Sequence, residues 1–331
     1  MDARGLTRRR LVGGVLAALL QPHVARAQPE RSARVGVLAS SSDTNFGASV
    51  QVFREALRDA GWVEGRNLTL DVRYLGERQY ARLPALAADL VRSKVDVIAT
   101  LGSPATLAAK QATTTIPIVM ESLADAVGTG LVTNLARPGG NVTGVSGFAP
   151  ELSGKRLELI RELVPGAKKV AIFINRGNPA TAPVMRATEA AARQMRLELL
   201  VVDVHRPSEI PTAFDTIVRE RTDALLLAAD PVLFSERAAI VRLAIRHRLP
   251  AVYETRLFAE SGGLLSYGPS AQERFRRMAF YVDRILKGAS PGDLPVEQPS
   301  RFELVLNLKA AKSLRLEIPP ELRLRADHVI E

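Results

Sequence analysis

Apolar residues in this chain fall into short and long runs that alternate. Short runs rich in Val, Ile, Leu and Ala occupy residues 33–40, 95–101, 116–120 and 141–147, then 169–175, 197–204, 223–230 and 250–254. Lengths of five to eight, bounded by turn residues, predict buried β-strands. Residues 67–75 alternate apolar and polar with period two, the mark of a half-buried strand. Between these runs the period lengthens. Leu83, Leu86, Ala87, Leu90 and Val91 recur as one face of a helix. Further helices are expected over 53–60 (ended by Gly61), up to Ala112, around 128–135, along Leu157, Ile160, Leu163 and Val164, and over 182–195, 210–220 and 235–247. Pro165-Gly166 stops the helix that precedes the second strand series.

The order is strand, helix, strand twice over, which predicts an α/β chain of two Rossmann-like lobes. Each wants a parallel sheet with helices on both faces. After "GGLLSYG" come a helix over 272–286 and, within 294–314, an extended piece and another helix. A tail that revisits both lobes divides the chain into lobe 1 (28–148 plus 267–298) and lobe 2 (149–266 plus 299–331). Several crossings between lobes predict a hinge near Phe148, Tyr267 and Pro299. Open α/β sheets bind ligands beyond the carboxyl ends of their strands.

The first 27 residues stand apart. Arg8-Arg9-Arg10 precedes an apolar stretch over 11–20 and then Ala25-Arg26-Ala27. A basic start, a short apolar core and an A-x-A site make an export signal, cleaved near Ala27. A stretch of about ten residues is half of what a bilayer span needs. The Arg-Arg pattern followed by Leu11 and Val12 fits the twin-arginine route. The mature protein is expected in the periplasm as a monomer.

Composition narrows the chemistry. The chain has no cysteine, so thiolate metal sites and cysteine nucleophiles are excluded. Its four histidines are far apart in sequence, and no cofactor or metal is expected. The net charge of +10 includes five arginines within the first 27 residues. The remaining basic residues are mixed with acids, and aromatics make up 5% of the chain, so a nucleic-acid partner is not expected. Walker-type G-x-x-x-x-G-K-[ST] and G-x-S-x-G motifs are absent from the sequence. The carboxylate pairs Glu158/Glu162 and Asp89/Asp96 fit solvated helix faces and strand entries.

Polar residues gather instead at strand ends. Ser40 and Ser41 follow the first strand, Ser103 and Pro104 the third, and Ser122 and Asp125 the fourth. In the second series Asn175 and Asn178, Asp230, and Tyr253 hold the matching places. Ser103 is expected to cap a helix, with Pro104 in its first turn and free N–H groups for a ligand carboxylate. Asp230 or Asp125 is expected to meet a cationic group, and Tyr253, Tyr267 and Phe148 to cover an apolar part. Ordinary caps and turns explain any one of these residues; it is their coincidence without an activated nucleophile that points to binding. A secreted α/β enzyme acting on a small carboxylate, or a ligand sensor on the same bilobal fold, are the alternatives. The first requires a nucleophile or base, the second a DNA-reading module.

The stretches "GSPATLAAKQATTTIPIVM", "VGTGLVTNLARPGGNVTG", "LSGKRLELIRELVP" and "YVDRILKGASPGDLPVEQPSRFELVLNLKAAKSL" carry a resemblance. The chain resembles substrate-binding proteins of ABC transporters, of the tryptophan/tyrosine type with a type I periplasmic fold. That resemblance implies two lobes joined by three crossovers, a small organic ligand (amino-acid-like or an aromatic carboxylate), and an inner-membrane ABC permease as partner. Asp125-Ala126-Val127, and Arg176-Gly177-Asn178 after Asn175, depart from the family's usual pattern.

Overall fold

The computed structural model describes residues 32–76, 80–122, 125–147 and 149–331. The expected export signal and Phe148 lie outside these residues. The first sheet is built by β1 (Ala33–Ala39), β2 (Leu68–Tyr74), β3 (Val97–Leu101), β4 (Ile118–Ser122) and β5 (Val142–Ser146). Its order is β2-β1-β3-β4-β5, all parallel. Helices α1 (Asp43–Asp59), α2 (Leu83–Arg92) and α3 (Ser103–Ala112) connect its strands. β3 is buried at every position because it has a strand on each side and helices on both faces. β2 is one of the two edge strands and is half-buried along most of its length, which is why it carries polar residues between its apolar ones.

α4 (Ala149–Leu163) leads into the second sheet, which contains β6 (Lys169–Ile174), β7 (Glu198–Asp203), β8 (Ala224–Leu227), β9 (Ala251–Tyr253) and β10 (Leu265–Pro269). Its connecting helices are α5 (Thr181–Gln194), α6 (Ile210–Arg219), α7 (Pro231–Ser235), α8 (Arg237–Arg246) and α9 (Arg256–Glu260). The order β7-β6-β8-β9-β10 repeats that of the first sheet. The chain then leaves for α10 (Ala271–Leu286), which packs with α1 against the first sheet through Phe275, Met278 and Val282. It returns as β11 (Phe302–Asn307), α11 (Leu308–Leu314), α12 (Pro320–Arg325) and β12 (His328–Ile330), extending the second sheet on its β10 side. Only the β10–β11 pairing is antiparallel among the described strands.

The chain therefore passes between the sheets three times: between β5 and α4, between β10 and α10, and between α10 and β11. Tyr267 lies inside β10, paired with Leu304, so the second passage follows Pro269. The third passage is held beside the first, because Glu297 bridges to Val145 and exchanges backbone hydrogen bonds with Gly144 and Ser146.

Two expected elements differ. Residues 128–135 form turns, not a helix. The Asp125 carboxylate accepts the Val127 N–H, Asn134 accepts the Ala136 and Arg137 N–H groups, and Gly130 has φ +71°. Local side-chain acceptors and a left-handed glycine draw the backbone out of a helical path. The helix expected over 235–247 is interrupted at Glu236, because Asp230-Pro231 starts a separate short helix.

Candidate functional site

Both sheets direct strand carboxyl ends at one cleft. In each the order turns back on itself next to the first strand of the series, β1/β3 in one and β6/β8 in the other, which is where such sheets hold ligands. The cleft encloses about 700 Å³, its open mouth included. Ser103, Glu121, Arg274 and Phe46 line it from the first-sheet side, and Asn178, Asp230, Phe234, Glu254 and Thr255 from the second.

The opening of α3 shows how β3 feeds the cleft. Gly102, at φ +90°, is the cap residue, and Ser103 is already helical. Any side chain at Gly102 would be strained in that conformation. A Cβ there would also lie 3.0 Å from Ser40 Oγ and 3.4 Å from Pro231 Cγ, which belongs to the second sheet's helix α7. Ser40, at the end of β1, caps α3 by accepting the Ala105 N–H at 3.0 Å. The Ser103 hydroxyl is 2.7 Å from that of Ser122. The expected capping role of Ser103 thus belongs to Ser40 and Gly102. Pro104 has no N–H, and the Ala105 and Thr106 N–H groups are taken by Ser40 and the Gly102 carbonyl. The α3 terminus accordingly offers a ligand carboxylate less than its sequence suggests.

Asp230 is buried and heavily solvated by protein. One oxygen accepts the Val232 and Leu233 N–H groups, at 2.8 and 3.2 Å, and caps α7. The other accepts Asn178 Nδ2 at 2.9 Å and the Tyr80 hydroxyl at 2.8 Å. Asn175 Nδ2 lies 3.4 Å away. Burial still pushes its carboxyl up from the usual range, with these donors opposing. The Tyr80 phenol is raised well above its ordinary value by burial and by the facing carboxylate. Asp230 is thus a structural acceptor as well as part of the cleft wall.

A second polar cluster faces the cavity. Glu121 ends the apolar run of β4 and forms a buried ion pair with Arg274 of α10. Glu254, 1% exposed, follows β9, with Thr255 next to it. Glu254 Oε2, Thr255 Oγ1 and Arg274 Nε are buried without a hydrogen-bond partner. Arg156 of α4 donates from Nε to the Tyr267 carbonyl at 2.8 Å and is brought down to about 10 by burial. Burial pushes Glu254 up to about 7, although Arg156 and Arg274 pull the other way. Gly268 lets β10 come this close: a Cβ there would fall 1.9 Å from the Glu254 carbonyl.

The apolar wall is aromatic. Phe46 of α1 and Phe234 of α7 stack at 5.9 Å from opposite sides, with Phe275 and Leu257 beside them. Among the expected residues, Ser103, Asn178 and Asp230 line the cavity. Ser40, Ser122 and Asn175 stand behind it as supports, and Ser41 and Pro104 are buried at the bases of their loops. Asp125 is engaged in its own turn. Tyr253 points away into the core, stacked on Phe258 at 4.7 Å where Gly263 leaves room. Tyr267 packs on Phe302 and is not among the residues lining the cavity. The aromatic residues that line the cavity are Phe46, Phe234 and Phe275.

Glu121 and Glu254 stand among the polar strand ends in the sequence but not among the expected ligand-binding residues, and Arg274 is in neither group, yet each left a signal. The two acids directly follow apolar strand runs, and Arg274 occupies the stripe continued by Met278, Tyr281 and Ile285. Phe46 and Tyr80 left none, because only the tertiary fold brings them across.

Among the described residues no group of His, Asp and Glu is placed to hold a metal, and no helix is long and apolar enough to cross a membrane. Two lobes of largely parallel sheet, joined by three crossovers around a cleft, define the architecture of type I periplasmic binding proteins. Residues 34–330 match the family described as ABC transporter substrate binding protein, and the chain belongs to it. A tyrosine-binding protein of Clostridioides difficile is 27% identical over 84% of this chain and 78% of its own length. A crystal structure of a conserved domain protein from Vibrio cholerae is 28% identical, covers 90% of this chain and 100% of its own, and gives a TM-score of 0.85. The structure of an ABC domain in complex with L-Trp from Streptococcus pneumoniae is 25% identical, with the same coverage and a TM-score of 0.83.

Proposed function

We propose that this substrate-binding protein captures an amino-acid-like solute or an aromatic carboxylate between its lobes, unchanged, and presents it to an inner-membrane ABC permease. The observation that carries the reading is the group of three buried, unpartnered polar atoms, Glu254 Oε2, Thr255 Oγ1 and Arg274 Nε, lining a cleft with an aromatic wall. Leaving such atoms unpaired costs about 1–3 kcal/mol each, so a ligand that pairs them gains that difference. Arg274 Nε is a donor and suits a carboxylate oxygen; Phe46, Phe234 and Phe275 suit a flat apolar body. The relatives named for tyrosine and L-Trp support this ligand chemistry.

The cleft supports carrying over catalysis, since among the described residues no serine or threonine lining it is hydrogen-bonded to a histidine or a carboxylate: Ser103 meets the Ser122 hydroxyl, and Thr255 is unpartnered. The two lobes act as separate bodies about the three passages, closing on the ligand. The protein works as a monomer in the periplasm, without nucleic acid, after export by a twin-arginine signal cut near Ala27. A thermal-shift screen of the mature chain against amino acids, small aromatic acids and other carboxylates tests the reading. A ligand that binds only the folded state raises the melting temperature with its concentration. Stabilisation by a member of these classes is expected; stabilisation by none of them, with unrelated solutes active, contradicts it.

A further inference from the structure

Glu254 is the least satisfied charged group in the cleft. It is 1% exposed, it lines the cavity, and its Oε2 has no partner. The charged groups around it come from several elements. Arg156 reaches in from α4, with Nε held by the Tyr267 carbonyl. Arg274 on α10 is committed to Glu121 of β4. Asp230, after β8, has its own donors and adds a like charge. Tyr253, on the same strand, faces the core. Arg274 is committed to Glu121, neither arginine forms an ion pair with Glu254, and Glu254 lines the cavity, from which a ligand cation can approach it.

We propose that Glu254 sets the selectivity of the cleft among acids by exchanging its proton for the ammonium group of the ligand. This rests on the cleft being the solute site. An acid bearing a protonated amine binds with Glu254 ionised: the carboxyl O–H bond breaks, the proton leaves to solvent, and the ammonium donates to the carboxylate. The same acid without the amine places no cation there, so Glu254 keeps its proton. Arg274 Nε and the Thr255 hydroxyl remain for the ligand carboxylate in either case. Burial, which holds Glu254 up to about 7 in the empty cleft, supports a group that is partly protonated at neutral pH.

Titration calorimetry at pH 7, in two buffers of different protonation enthalpy, tests this with L-phenylalanine and L-tryptophan against 3-phenylpropanoate and indole-3-propanoate. The amino acids are expected to bind at least about tenfold tighter than their deaminated counterparts, the size of one charge-assisted hydrogen bond, and to release a fraction of a proton. Glu254→Gln is expected to abolish both the preference and the proton release while retaining the deaminated acids. Equal affinity for both classes, or unchanged proton release in Glu254→Gln, overturns the proposal.

A ligand-free measurement guards against a variant that folds poorly. Infrared difference spectra of the wild type are expected to show a protonated-carboxyl band that fades as pH rises through neutrality and is missing in Glu254→Gln. Its absence from the wild type overturns the proposal independently. Binding of neither class overturns the selectivity assignment as well; the receptor reading is then judged separately, by whether any other solute in the thermal-shift screen stabilises the protein.

Discussion

The Tyr80 hydroxyl donates to Asp230 at 2.8 Å, joining the chain that follows the edge strand of the first sheet to the helix cap at the end of β8 in the second. The stacking of Phe46 on Phe234 and the approach of Gly102 to Pro231 lie at the same junction. The junction needs the two sides together, so it is expected to act as a latch if the lobes part and close around a ligand.

Tyr80→Phe is therefore expected to leave folding nearly intact and to weaken ligand binding about tenfold, because a hydrogen bond to a charged group is worth about 1.5–3 kcal/mol. Asp230→Ala is expected to do more. It removes the α7 cap, worth about 1 kcal/mol, and strands buried donors from Asn178 and Tyr80. Calorimetric titration paired with urea unfolding separates the two effects. Equal destabilisation by both variants would contradict the distinction.

Glu254 gives the unliganded protein a particular pH dependence. Its carboxyl is raised from 4.5 to about 7, so the folded state holds a proton that the unfolded chain has lost. The stabilisation is complete below about pH 4.5 and is lost as pH rises through 7, a change of about 3 kcal/mol. The upward shift of Asp230 acts in the same direction. Glu254→Gln is expected to flatten the unfolding free energy between pH 5 and 8 and to gain most over wild type near pH 8. Parallel profiles for the two proteins would show that Glu254 titrates normally.

Gly268 is required by close approach. Its Cβ would overlap the Glu254 carbonyl oxygen, and the obstacle is backbone, which cannot swing aside. Gly268→Ala is expected to cost about 2–3 kcal/mol and to displace Glu254, lowering affinity together with stability. Retention of wild-type melting temperature would show that β9 and β10 are free to separate.

Arg196 is the opposite case. It follows the end of α5 with φ +56°, a left-handed position that glycine fills without steric cost. Arg196→Gly is expected to stabilise the protein by up to about 1 kcal/mol, or to be neutral where the lost favourable charge at the helix end offsets the relief. Thermal unfolding reads this directly, and a loss above about 1 kcal/mol would count against it.

Much of the fold was legible because parallel strands buried on both faces read as continuous apolar runs. The runs at Val97–Leu101 and Ala224–Leu227 are examples. Residues 128–135 misled because their apolar spacing looks helical, while Asp125 and Asn134 control the backbone through short side-chain bonds. At the site, position at a strand end was readable but orientation was not. Asp230 and Asn178 face the cleft, whereas Tyr253, also at a strand end, turns into the core against Phe258. Glu254, one residue further, takes the cleft side. A single-residue step along a strand reverses the face, and the sequence alone does not say where that step falls.

The central claim is that the cleft holds a small acid and returns it unaltered. Native mass spectrometry of the chain from Ala33 onward, incubated with a mixture of amino acids and aromatic acids, tests it most directly. The account predicts one bound molecule per chain, released on denaturation at its original mass, and lost when Arg274 is replaced by Met. Recovery of a chemically changed product, or an adduct that survives Arg274→Met undiminished, would contradict it.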